Sequence, residues 1–362
     1  MTPAARRPPW FAVAGVAAGV LAAAVGVVLL SAAPDSNAAP RRSVHHASPP
    51  PSRSATKPAA ATWSPAFGVY AGPDAVTAAQ AFTVAMGGSV SSALDFFPST
   101  SWGSIADPQW TIQRWQLSPF HMIYGVPMLP DSGASLATGA TGAYDPFFVS
   151  LASHLVAAGE GGAVLMLGWD PLQPGPAWQV QGAGEAADYV RYWRHIVTSV
   201  RAVPGAHFTF EWDGGTPIGS PLAPSAVYPG DAYVDLIATN AFDQVAAPTT
   251  GPRWDAISQD TNGPDWFAAY AADHHKPLVI GEWGLEPGTA RGGGGDDGTF
   301  VRDLMRWSAA NRVALLVTWD YGAWSVTSGA FPSAQAAFAH AITAMMAPTP
   351  IPPVSGGFQA GT

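Results

Sequence analysis

Six acidic residues sit at the carboxyl ends of short apolar runs. They are Asp170 after AVLMLGW, Glu211 and Asp213 in HFTFEWDG, Asp243 after VDLIATNAF, Glu282 in PLVIGEWG and Asp320 in VALLVTWDY. A carboxylate after a buried run is costly unless it is hydrogen-bonded, paired or used in chemistry. Two carboxyls facing each other, one ionised and one protonated, can cleave a glycosidic bond. A separation of about 5–5.5 Å goes with retention of configuration and roughly 6.5–9.5 Å with inversion. Glu282 and Asp170 are the first choice of pair, because the runs that carry them are three apart in a set of eight and face each other if those runs close into a barrel.

The eight runs cover residues 67–72, 89–97, 121–128, 163–170, 207–214, 234–242, 277–284 and 313–321. Most are near-continuously apolar, as expected of parallel strands covered on both faces. Helical segments at 75–87, 144–159, 185–203, 266–275, 300–311 and 333–346 lie between and after them. Residues 215–230, rich in Gly and Pro, give the weakest helical signal. The alternation predicts a (β/α)8 TIM barrel over residues 63–346, with functional groups at the carboxyl ends of its strands. An open doubly wound sheet would need a glycine-rich nucleotide turn. Gly182-Ala183-Gly184 lies too far past the fourth run for that and reads as a helix entry.

Aromatic residues cluster at the same ends. Trp169, Trp212, Trp283, Trp319 and Tyr321 end runs, and Trp178 and Trp324 lie in the loops beyond. Each alone reads as packing, but as a ring around two carboxylates they suggest a sugar-stacking cleft. Phe242 and Asp243 belong to the same expected binding surface. His274-His275 reads as helix-end hydrogen bonding. The Gly292–Gly295 run with Asp296 and Asp297 reads as a loop entering a helix, so no metal and no cofactor is expected. No GxSxG elbow supports acyl transfer.

The chain has 362 residues, no cysteine, 48% hydrophobic residues and a net charge of −9. Cysteine chemistry is excluded, and without a basic footprint nucleic acid is not an expected partner. Residues 1–9 carry Arg6 and Arg7 before an uncharged run at 10–33, which is long enough to cross a bilayer. The positive-inside rule then puts the barrel outside the cell, tethered through the Pro/Ser/Ala-rich linker 34–62, or secreted if a signal peptide is cleaved near Ser36-Asn37-Ala38. Residues 347–362 read as a tail. The protein is expected to act as a monomer.

The order of motifs resembles glycoside hydrolase family 26, the β-mannanase-like barrels. It rests on FGVYAGP at 67–73, VPMLP at 126–130, LMLGWD at 165–170, FTFEWDGG at 208–215, YPGDAYVDLIATNAFD at 228–243, KPLVIGEWG at 276–284 and GGDDGTFVRDLMRW at 294–307. The resemblance implies a retaining hydrolase of β-linked polysaccharide, mannan-like first, with Glu282 as nucleophile and the residue at Asp170 as acid/base. The family carries Glu in that place, followed by an apolar residue, Asn and Gly. This chain has Asp170-Pro171-Leu172-Gln173, and Phe242 stands where relatives often carry a Tyr. Shortening Glu to Asp withdraws the carboxyl by about 1.5 Å. Three roles stay open: Asp170 as acid/base, Glu211 or another mouth acid in its stead, or a catalytically weak or inactive cell-surface carbohydrate-binding barrel.

Overall fold

The computed structural model describes residues 65–215, 220–244, 252–288 and 292–346. The apolar run at 10–33, the linker and the tail lie outside the described residues. Among those described, no helix is long and apolar enough to cross a membrane. Eight parallel strands close into a barrel in chain order. They are β1 (Ala66–Tyr70), β2 (Ser92–Phe96), β3 (His121–Val126), β4 (Val164–Leu167), β5 (Thr209–Asp213), β6 (Leu236–Asp243), β7 (Leu278–Leu285) and β8 (Leu315–Trp319). Burial on both faces explains their unbroken hydrophobicity: all four residues of β4 and all eight of β7 are buried.

Helix α1 (Val76–Ala85) joins β1 to β2. Two short helices, α2 (Trp102–Ala106) and α3 (Gln109–Trp115), join β2 to β3 where the sequence predicted none. Pro108 separates them, so neither repeats the helical period long enough to be read. Ser101 caps α2 with a reciprocal bond to Ser104. Next come α4 (Leu136–Gly139) and α5 (Asp145–Ala157), then α6 (Ala183–Arg201), whose N-cap is Gly182. Between β5 and β6 the described chain makes only a 3-10 turn at Pro224–Val227. The Gly/Pro content there had already weakened any helical reading. Helices α7 (Arg253–Ser258) and α8 (Pro264–Asp273) precede β7. Helix α9 (Gly298–Ala310) follows it, and α10 (Pro332–Met346) closes the ring.

Helix α6 does most to fix the site. Ala186, Tyr189, Tyr192, Trp193, Ile196, Val197 and Val200 recur at helical spacing and are all buried. Three of them also carry polar handles that fasten strand ends. Tyr189 Oη donates to the Gly168 carbonyl at 2.9 Å, Tyr192 Oη to Met128 O at 2.5 Å and Trp193 Nε1 to Leu167 O at 3.4 Å. The turn leading from β4 into Asp170 is thereby bolted to the helix layer. Tyr189→Phe removes one of these bonds and orphans a buried carbonyl. It should lower unfolding free energy by roughly 0.5–1.5 kcal/mol, read from the urea midpoint.

Candidate active site

Along β5 the pleat alternates, sending Glu211 and Asp213 inward and Phe210 and Trp212 toward the helices. On β7 the alternation is broken. Asn240 of β6 pairs with Glu282 although Thr239 pairs with Ile280, so Gly281 is an extra residue and the strand bulges just before the acid. An added Cβ at Gly281 would lie 3.3 Å from both Glu211 Oε1 and Asn240 Oδ1. Glycine at this point lets β7 lie against those groups.

Asp170 leaves β4 through two left-handed residues, Gly168 at φ 49° and Asp170 itself at φ 50°. For a non-glycine residue this backbone is uncommon and strained, and it is held by what the side chain meets. Asp170 Oδ1 accepts from Gln173 Nε2 at 3.1 Å and Asn240 Nδ2 at 3.3 Å. The carboxyl rests on Gly215, where any Cβ would collide with Oδ1. Asp213 accepts from the Gly215 N–H at 2.7 Å and from Asn240 Nδ2 at 3.2 Å.

Asp170, Glu211, Asp213 and Glu282 thus line one wall, from β4 to β7, at exposures of 9%, 1%, 0% and 3%. Among the described residues none of them forms an ion pair with Lys, Arg or His. Glu211 Oε2 and Glu282 Oε1 have no described hydrogen-bond partner. Burial is the first cause pushing all four toward the protonated form. Asp213 rises least, to about 6, because Gly215 and Asn240 donate to its anion. Glu211 rises to about 8 through burial and then the Asp213 charge. Asp170 is held well above the ordinary range by burial and then Asp213, against the Asn240 bond. Glu282 is held there by burial, then by Asp170, Asp213 and Glu211. The group therefore titrates as a cluster.

The ends of β1, β2, β4 and β8 carry an aromatic cluster in which Tyr70, Trp169 and Trp319 are buried. Tyr70 meets Trp319 at 4.2 Å and Phe96 at 5.3 Å between ring centroids, and Phe96 meets Trp169 at 4.8 Å. Gly125 makes room for the Phe96 ring. Half-buried Phe242 and Trp324 continue the surface 6.1 and 6.3 Å from Trp319. Trp324 Nε1 donates to Glu286 Oε2 at 2.5 Å. Tyr321, also half-buried, touches Tyr70. Tyr70, Phe96, Gln173 and Asn240 were missed in the sequence. The strand-end rule that found the acids, extended to aromatics of β1 and β2, finds the first two, whereas nothing local marks Asn240.

Several expected ligand contacts are corrected. Trp212 and Trp283 are wholly buried on the outer face of the barrel, Trp212 against Tyr228, Phe267 and Tyr270, and Trp283 against Phe338 of α10. Each follows an inward-facing acid, so the pleat turns it to the helices. Trp178 is buried too, its Nε1 donating to the Trp169 carbonyl at 2.8 Å, and it supports the site from behind. Asp243 has both oxygens engaged, by Arg253 Nε at 2.7 Å and the Gly294 N–H at 2.9 Å. It locks a loop and is not a sugar contact. Asp320 similarly accepts from Ser325 and Thr327. Asp297 caps α9 through Thr299 and Phe300, and His274 pairs with Asp231. No group of three or more His, Asp or Glu among the described residues is arranged to hold a metal.

No family model matches the sequence, and no curated protein matches it. Solved structures do. A modular endo-β-1,4-mannanase from Cellulomonas fimi, of glycoside hydrolase family 26, superposes with a TM-score of 0.55 at 17% identity, over 76% of this chain and 70% of that one. The catalytic domain of a family 26 endo-β-1,4-mannanase from Bacillus sp. JAMB-750 gives 0.53 at 16%, over 77% and 86%. A broad-specificity endoglucanase from an uncultured bacterium gives 0.50 at 13%, over 78% and 94%. The likeness is one of fold. The (β/α)8 barrel that the motif order implied is the fold these structures share.

Two outcomes follow from this geometry. Arg253→Ala strands a buried Asp243 carboxylate and should lower stability by about 3–5 kcal/mol in chemical denaturation. Glu211 loses its proton near pH 4.5 when unfolded but only at about 8 when folded, so stability should fall as pH rises between those values. In Glu211→Gln the drop in Tm from pH 5 to pH 8, measured by calorimetry, should be several degrees smaller than in the parent.

Proposed function

We propose that this protein is a glycoside hydrolase acting on a β-linked polysaccharide or oligosaccharide, with a mannan as the first substrate to try. The observation that carries the reading is a buried wall holding both Asp170 and Glu282, beside aromatic rings suited to the apolar face of a sugar. A neutral polymer fits a wall of acids that no cation among the described residues balances.

In this reading Glu282 attacks the anomeric carbon, and a new ester C–O bond forms as the glycosidic C–O bond breaks. Asp170 gives its proton to the departing oxygen. Water then attacks the same carbon, passes a proton to Asp170 and releases Glu282, with net retention. Because burial holds Glu282 protonated above the ordinary carboxylate range, the acidic limb of the rate profile should lie above that range too. The apolar run at 10–33 behind Arg6 and Arg7 supports display of the barrel outside the cell, anchored to the membrane or released from it.

The low exposure of Asp170 and Glu282 favours a second reading, a carbohydrate-binding barrel that does not turn over. The full chain assayed on β-mannan, β-glucan and xylan separates the two. Hydrolysis should appear on at least one glycan. Asp170→Asn should reduce it by roughly 10²–10⁴-fold, and Glu282→Gln should remove it. Activity that survives both substitutions refutes the assignment, and binding without hydrolysis by the parent favours the second reading.

A further inference from the structure

Asp213 belongs to the acid wall yet has no part in bond cleavage as proposed. Its two oxygens accept one hydrogen bond each, from the Gly215 N–H and from Asn240 Nδ2. Both donors favour a carboxylate over an acid. The same Asn240 nitrogen also donates to Asp170 Oδ1. An NH2 group has two hydrogens, so one amide spans the two carboxyls.

Asp170 is placed differently. Among the described residues its two donors, Asn240 and Gln173, both reach Oδ1, whereas Asp213 has a donor on each oxygen. The bridge is built from behind as well. Thr239 Oγ1 donates to the Gly215 carbonyl at 3.0 Å, holding the residue whose N–H meets Asp213. Glycine at 281 leaves room for the Asn240 side chain.

We propose that Asp213 is a positioning residue for Asp170, an anion tied to it through the Asn240 amide that keeps Asp170 in its acid form. The other titratable groups facing the pair are Glu211 on β5, Glu282 on β7 and Tyr189 on α6. The two glutamates add negative potential when ionised and so act in the same direction, whereas Tyr189 stays neutral and donates to the Gly168 carbonyl. Asp213 has a donor on each of its two oxygens, the arrangement that suits a carboxylate. Only the kinetic consequence rests on the glycosidase reading, since the protonation of Asp170 can be observed without turnover.

The test is carboxyl carbon-13 NMR of the full chain labelled at aspartate, with the Asp170 signal identified by its loss in Asp170→Asn. The parent midpoint should lie above the ordinary carboxylate range, and Asp213→Asn should lower it by about one unit or more, a tenfold loss of proton affinity. Asp213→Ser gives the same reading if the asparagine variant does not fold. An unchanged Asp170 midpoint in either folded variant overturns the proposal. If the chain is a glycosidase, the alkaline limb of kcat/KM moves down with the midpoint, whereas a merely structural role lowers the rate and leaves the limb in place. If the midpoint moves but the parent cleaves no glycan, the glycosidase reading fails and the coupling stands.

Discussion

Like charges crowded into an apolar barrel with no balancing cation among the described residues cannot all ionise, and that constraint shapes the barrel's interior. Asp170, Glu211, Asp213 and Glu282 share the wall from β4 to β7. In low dielectric their mutual repulsion and the loss of hydration act together, so protons are retained and the group behaves as one titrating unit. Local departures from ideal geometry serve this wall: the left-handed backbone at Gly168 and Asp170, the side-chain-free positions at Gly215 and Gly281, and the bulge ahead of Glu282. At Gly215 and Gly281 the missing side chain lets wall groups lie against the backbone.

Asn240 is the hinge of the arrangement. A neutral amide can donate to two carboxyls at once without adding charge, which neither Lys nor Arg could do in the same space. It stabilises whichever form of each acid accepts a hydrogen bond, and so links protonation at Asp170 to that at Asp213. At the ends of β1, β2, β4 and β8, Tyr70, Phe96, Trp169 and Trp319 form a cluster with the opposite character. Rigidity comes from outside, where α6 fastens the ends of β3 and β4 through Tyr189, Tyr192 and Trp193.

The amino-acid sequence by itself determined the (β/α)8 alternation and the strand ends at which acids fall. Both are short-range properties: a buried parallel strand must be apolar on both faces, and the residue after it emerges at the mouth. Asp170 and Glu282 were legible for that reason. The short helices α2 and α3 were not, because Pro108 divides them into pieces shorter than the period that reveals a helix. Tertiary structure alone decided which face each strand-end residue takes. Trp212 and Trp283 pack against helices because each neighbours an inward acid. Asp243 is occupied by Arg253 and Gly294, and Asn240 becomes a bridge only when β4, β5 and β6 stand side by side. Facing depends on register, and register is set by neighbouring strands and by a bulge whose single extra residue resets the alternation.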